Sequence, residues 1–220
     1  MNIKILVIRV MPNDWKKFGY LLCDDDLNKI QSAQSDLKKS SICASAILKR
    51  YYLASLLNVS IDNIKILKTP QGKPYITVLS PNNTQQTLKL YFSISHSANY
   101  VIIATSNTHE IGLDLQIVKN TPLINNPKLL FSNTEKQLIV NSPQDKKLAN
   151  FFILWTKKES YLKALGSGIN DRTVVNNSQL DLELTEIKDD YIISTHNLEN
   201  KLPNNLAKYY LAICMFHFPL

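Results

Sequence analysis

Tyr100-Val101-Ile102-Ile103-Ala104-Thr105-Ser106-Asn107-Thr108-His109-Glu110-Ile111-Gly112-Leu113-Asp114-Leu115-Gln116 is the stretch from which the fold class follows. Tyr100–Thr105 is a short run rich in β-branched residues and Ile111–Leu115 a shorter run of Ile and Leu around Gly112 and Asp114, and both read as strands. Ser106-Asn107-Thr108 between them is polar and of the length a hairpin needs. Leu88–Ile94 reads as a third strand just upstream.

Outward from this block, Ile3–Val10 is an Ile- and Val-rich strand, and a helical stretch follows over about Asp36–Leu57. There Leu37, Ala44, Leu48, Tyr51 and Ser55 recur at three, four or seven residues and line one face. Thr69-Pro70-Gln71-Gly72-Lys73-Pro74 is a turn, Tyr75–Leu79 a strand, and Pro81-Asn82-Asn83 a break. Downstream, Ser132-Asn133-Thr134-Glu135 is a capping box, and a helix over about Leu148–Leu165 stops at Gly166. Leu180, Leu182 and Leu184 alternate with polar residues, Lys188-Asp189-Asp190 turns, and Tyr191–Thr195 and Lys208–Phe216 close the chain as strands. Strand, helix, strands, then helix, strands is an α+β order, with two halves meeting near residues 115–130.

Composition narrows the class. The 220 residues are 45% hydrophobic and 20% charged without low-complexity runs, enough for one sizeable core or two small ones. No apolar run reaches the roughly 18–20 residues that cross a bilayer. Lys4 and Arg9 interrupt the apolar start, so it reads as a strand rather than a signal peptide. Cys23, Cys43 and Cys214 are scattered without metal-site spacing, which fits a reducing cytoplasm. The +7 charge would attract an acidic protein, a polyphosphate or nucleic acid. Its bases are dispersed and no nucleic-acid-binding motif accompanies them, so a nucleic-acid partner is not expected.

Two segments carry candidate chemistry. Asp is disfavoured in strands, yet Asp114 lies between Leu113 and Leu115. Either the strand ends early and Asp114 caps a turn, or it is a strand carboxylate that must have a partner, since burying it bare is costly. Trp155, Glu159 and Lys163 are spaced four apart on one helical face. That column is either a surface ion pair beside a half-buried Trp or part of a site with Asp114. Magnesium commonly takes one or two protein carboxylates and completes its shell with water and substrate phosphates. Asp114 and Glu159 could supply the carboxylates, and Lys163 could neutralise a phosphate oxygen. Phe92-Ser93-Ile94-Ser95-His96-Ser97 offers several donors to an anion, or is a turn in which His96 is satisfied by its neighbours. Ser95 and His96 do not read as a hydrolase pair, because adjacent strand residues face opposite ways and no G-x-S-x-G surrounds them.

In chain order, Gly72-Lys73-Pro74, Phe92-Ser93-Ile94-Ser95-His96-Ser97, Gly112-Leu113-Asp114-Leu115-Gln116 and Trp155 through Lys163 resemble the motifs of the 4′-phosphopantetheinyl transferases, of the long surfactin-synthetase-activating type. Phe131-Ser132-x-x-Glu135 is a lesser match. The resemblance implies an α+β pseudo-dimer of two similar halves, 1–115 and 116–220, with the active site in the cleft between them. It implies a cytoplasmic monomer, not membrane-bound, that transfers phosphopantetheine from coenzyme A to a serine of an acyl or peptidyl carrier protein. Asp114 and Glu159 would bind Mg²⁺ or Mn²⁺, with Gln116 as a weak or water-mediated third ligand. Glu159 and Lys163 would be catalytic, and Lys73, Pro74, Ser95, His96, Lys158 and Lys163 would hold coenzyme A. Trp155 would orient Glu159.

Two departures from the family pattern stand out. Gln116 occupies a position where the family usually has Glu, and Ser41 a position where it often has an Arg for the 3′-phosphate. Lys38 or Lys39 is the substitute for that Arg in the same region. These departures favour the competing expectation, a catalytically silent module that binds carrier proteins or coenzyme A.

Overall fold

The computed structural model describes residues 3–79, 84–125, 131–166, 187–188, 191–198, 202 and 209–216. They form two compact units, one comprising Met1–Thr69 and Pro74–Thr108, the other Pro70–Lys73 and His109–Leu220. Each combines sheet and helix, so the chain is α+β as its element order predicts. Among the described residues no helix is long and apolar enough to cross a membrane.

In the first unit, β1 (Ile3–Arg9), β5 (Tyr91–Ser97) and β6 (Tyr100–Ser106) make an antiparallel sheet in the order β1-β6-β5. β6 is central and buried along its whole length, which is why it is an unbroken Val/Ile/Ala run between Tyr100 and the small hydroxyl residues Thr105 and Ser106. β1 lies at an edge and alternates: Leu6 and Ile8 pack on the core while Ile5 and Val7 are exposed. A second antiparallel sheet joins β2 (Ile64–Lys68), β3 (Pro74–Leu79) and β4 (Gln85–Thr87). Pro74 takes the first position of β3, where a missing N–H is tolerated.

The helices of this unit are α1 (Asp14–Phe18), α2 (Asp24–Gln31), α3 (Asp36–Ile47) and α4 (Leu53–Leu57). Ser35 caps α3 by accepting from the Lys38 amide. The single helix expected over Asp36–Leu57 continues from α3 to α4 through a π-helical turn at Leu48–Tyr52. Leu48, Leu53 and Ala54 from this stretch share a core with Val10, Ile76 and Phe92.

The second unit holds β7 (Ile111–Ile117), α5 (Asn133–Asn141), α6 (Gln144–Leu165), β8 (Ile187–Lys188), β9 (Tyr191–Asn197) and β10 (Tyr209–Phe216). Its four strands run antiparallel in the order β7-β10-β9-β8. α6 lies on β7 and β10. Gly166 ends it at φ 83°, a left-handed C-cap. A second core gathers Phe131, Ile139, Phe151, Phe152, Leu154 and Tyr210.

The hairpin expected through Ser106-Asn107-Thr108 does not form. β6 and β7 belong to different sheets, and Thr108 is where the first unit ends. The tight hairpin joins β5 to β6 instead, with Ser97 opposite Tyr100 and Ala98 at φ 48°. A positive φ at the first loop residue suits the right-handed twist of the flanking strands. The alternating leucines at Leu180–Leu184 fall outside the described residues.

Candidate active site

Asp114 sits at the middle of β7 opposite Ala212 of β10, and only 2% of its side chain is exposed. A carboxylate at that depth must be paired. Lys163 Nζ donates to Asp114 Oδ1 at 2.7 Å, and Gln116 Nε2 donates to Asp114 Oδ2 at 2.9 Å. Gln116 stands two residues along the strand and therefore on the same face. Its amide nitrogen must face the carboxylate, since the carbonyl oxygen would repel it.

Glu159 lies on α6 one turn before Lys163 and joins this group electrostatically. Burial first, and the neighbouring Asp114 second, push its carboxyl up to about 7, against a pull downward from Lys163. Asp114, Gln116, Glu159 and Lys163 are thus brought together, from one strand and one helix.

The close fit of α6 on β7 depends on Gly112. A Cβ there would stand 1.9 Å from the Ser160 carbonyl oxygen and 2.4 Å from the Ala164 nitrogen. Glycine at this point lets the helix backbone approach the strand that carries Asp114. The spacing of the site residues gives Gly112 no role; its signals in the sequence are a glycine inside a strand pattern and its place at the head of the Gly112–Gln116 motif.

The other expected site residues have contacts of their own. Lys158 shares the motif with Glu159, but its ammonium is directed into the protein. It is 3% exposed, donates to Glu135 Oε2 at 2.5 Å and stands 5.4 Å from the Phe131 ring centroid. Helical geometry explains the split, since consecutive residues point about 100° apart.

Glu135 also completes the capping box of α5, accepting from the Ser132 amide at 2.8 Å, so one fully buried carboxylate ties the start of α5 to α6. The capping motif accounted for Glu135 by itself and hid this second role. Glu135→Ala leaves a buried ammonium without its carboxylate and is expected to cost about 3–5 kcal/mol of stability, read by urea unfolding. Loss of less than 1 kcal/mol would show that Lys158 finds other solvation.

Lys73 Nζ donates to the Ala164 carbonyl and to Glu110 Oε2, the latter at 2.7 Å. An ammonium on the last turn of α6 satisfies an orphan carbonyl and complements the helix dipole. Trp155 stacks on Phe151 at 6.0 Å between centroids, within the second core. In the first unit, Ser95 is buried and His96 exposed on β5, and Lys38 Nζ meets His96 Nε2 at 3.1 Å. Of the two candidate lysines on α3, Lys39 lies over the Trp15 ring at 5.0 Å, which leaves Lys38 as the one beside His96.

Among the described residues no three His, Cys, Asp or Glu side chains converge as a metal cage. The two hard oxygen donors Asp114 and Glu159, with substrate phosphate for the remaining positions, do fit the sparse protein ligation that Mg²⁺ accepts.

Two family models match the chain. One, described as 4′-phosphopantetheinyl transferase, N-terminal, covers residues 10–108, and the other, the 4′-phosphopantetheinyl transferase superfamily, covers residues 110–214. The 4′-phosphopantetheinyl transferase gsp of Aneurinibacillus migulanus is 33% identical over 123 residues, 56% of this chain and 47% of its own length. A putative 4′-phosphopantetheinyl transferase of Synechocystis sp. is 30% identical over 155 residues, 69% of this chain and 61% of its own. The 4′-phosphopantetheinyl transferase HetI of Nostoc sp. is 30% identical over 149 residues, 67% of this chain and 61% of its own. The chain therefore spans less than two thirds of the length of these curated relatives.

Proposed function

The chain belongs to the 4′-phosphopantetheinyl transferase superfamily, and from that premise we propose that it transfers phosphopantetheine from coenzyme A to a serine of an acyl or peptidyl carrier protein. The observation that carries this reading is the meeting of Asp114 and Lys163 at 2.7 Å beside a half-buried Glu159 whose carboxyl titrates near neutrality.

Asp114 and Glu159 are the residues that would hold Mg²⁺ or Mn²⁺, which when bound neutralises oxygens of the coenzyme A diphosphate. Glu159, pushed up to about 7, is matched to accept a proton at neutral pH, directly or through a water. That proton comes from the carrier serine, whose oxygen forms a bond to the β-phosphorus of coenzyme A. The bond from this phosphorus to the bridging oxygen breaks, and adenosine 3′,5′-bisphosphate leaves with the electron pair. In this reading Lys163, 29% exposed and one turn beyond Glu159, donates to the charge that develops on the leaving group.

Lys158 acts at one remove in this scheme, fixing α6 to α5 through Glu135. Lys38 and His96, with Ser95 in the same strand, are the groups proposed to hold the 3′-phosphate in place of the missing arginine. The +7 charge favours encounter with an acidic carrier.

Mass spectrometry of a carrier incubated with the chain, coenzyme A and Mg²⁺ tests the proposal, with a phosphopantetheine adduct as the expected result. No adduct on any acyl or peptidyl carrier, with coenzyme A still bound, would favour the silent binding module that Gln116 and Ser41 suggest. In the same assay Lys38→Ala is expected to raise KM for coenzyme A about tenfold, the scale of a lost charge-assisted hydrogen bond, while leaving 3′-dephospho-coenzyme A unaffected. Equal effects on both substrates would remove Lys38 from 3′-phosphate recognition.

A further inference from the structure

Asp114 is the most deeply placed carboxylate of the site, and both of its oxygens are engaged by donors. Oδ1 accepts from the Lys163 ammonium at 2.7 Å and Oδ2 from the Gln116 amide at 2.9 Å. With Glu159 ionised, two carboxylates and one ammonium leave the group a net charge of only −1. Gln116 adds no charge, and its nitrogen rather than its oxygen faces the carboxylate. A cation entering alone would have to displace this ion pair, whose carboxylate is buried, and meet the Lys163 charge at close range.

We propose that Gln116 and Lys163 hold Asp114 closed to free divalent cation, so that the metal is taken up only together with a diphosphate-bearing nucleotide substrate. This rests on the functional reading above and specifies how its site loads. The diphosphate brings the negative charge that the site lacks and offers Lys163 a new partner. As Lys163 moves from Asp114 Oδ1 to a phosphate oxygen, the carboxylate is released to the cation at little electrostatic cost. A Glu at position 116 would put a third carboxylate in the group, turn the donor on Asp114 into an acceptor and allow the cation to bind first.

Titration calorimetry of the full chain separates the possibilities, with MgCl₂ added in the absence or presence of saturating coenzyme A and no carrier, so that nothing turns over. Coenzyme A is expected to tighten Mg²⁺ binding by at least about 30-fold, and Mg²⁺ to tighten coenzyme A binding by the same factor, as reciprocity requires. Gln116→Glu is expected to tighten binding of Mg²⁺ alone by about tenfold and to shrink the coupling. Wild-type chain that binds Mg²⁺ equally well with and without coenzyme A overturns the proposal, so the decision does not depend on the variant folding. A folded Gln116→Glu chain with unchanged coupling removes Gln116 from the device. Coenzyme A that binds under neither condition sinks the transferase reading itself, a result distinct from uncoupled binding of the two ligands.

Discussion

Glu159→Gln is expected to lower kcat/KM for transfer about 10²–10³-fold while making the metal-free chain more stable at alkaline pH. The first effect follows from losing both a cation ligand and a proton acceptor at the point where charge develops. The second follows from where Glu159 sits. Burial, and then repulsion from Asp114, raise its folded-state pKa from 4.5 to about 7, so between those values the folded chain binds more protons than the unfolded one. Stability linked to this group is fully present below about pH 4.5 and is lost as the pH rises through about 7.

A Gln cannot ionise, and the variant escapes that loss. The metal-free variant should exceed wild type by about 2 kcal/mol at pH 8, with the gap vanishing towards pH 4, as measured by urea unfolding in chelator. Saturating Mg²⁺ and coenzyme A should narrow the difference by stabilising wild type alone. Transfer at near wild-type rate would take Glu159 out of the chemistry, and a stability difference independent of pH would show that its carboxyl is not held near neutrality.

Asp114 illustrates what a sequence can disclose about such a site. A charge between two strand leucines announces that a partner exists, and helical spacing puts Glu159 and Lys163 on one face, so the group could be anticipated without coordinates. Which partner Asp114 takes could not. Lys163 lies 49 residues away and Gln116 two, and both bind the carboxylate that the spacing had offered to a cation.

Lys158 and Lys73 show the limit more sharply. Both belong to motif segments, yet one pairs with Glu135 over 23 residues and the other reaches Ala164 over 91. Periodicity describes neighbours on one element and is silent about which element lies opposite. The turns follow the same rule. Ser106-Asn107-Thr108 has the polarity of a hairpin loop but divides two units, whereas the actual hairpin turns at Ala98-Asn99, where alanine carries no turn signature. The register of β5 on β6 imposes the positive φ there, overriding local preference.

Gly112→Ala, a change of one methyl group outside the set of reacting side chains, is expected to be nearly as damaging to transfer as losing Glu159. Its effect is steric rather than torsional, for Gly112 is not among the positive-φ glycines; Gly72, at φ 95° with open space around it, is the converse case. A Cβ 1.9 Å from the Ser160 carbonyl oxygen lies far inside the 3.0 Å that real Cβ contacts observe, and the atoms it meets are helix backbone, which cannot rotate aside. α6 must therefore retreat from β7 by about 1 Å or more at the very turns that present Glu159 and Lys163.

Overpacking of this kind costs about 3 kcal/mol or more, and a 1 Å displacement of catalytic groups costs about 100-fold in rate. The two readouts should separate on comparison with Gly72→Ala, which carries only the left-handed backbone penalty of about 1 kcal/mol and should keep its transfer rate. Gly112→Ala protein with unchanged melting temperature and unchanged transfer would mean that α6 does not ride on the strand backbone as closely as the structure has it. The 2.7 Å approach of Lys163 to Asp114 would then have to arise without the contact that holds helix and strand together.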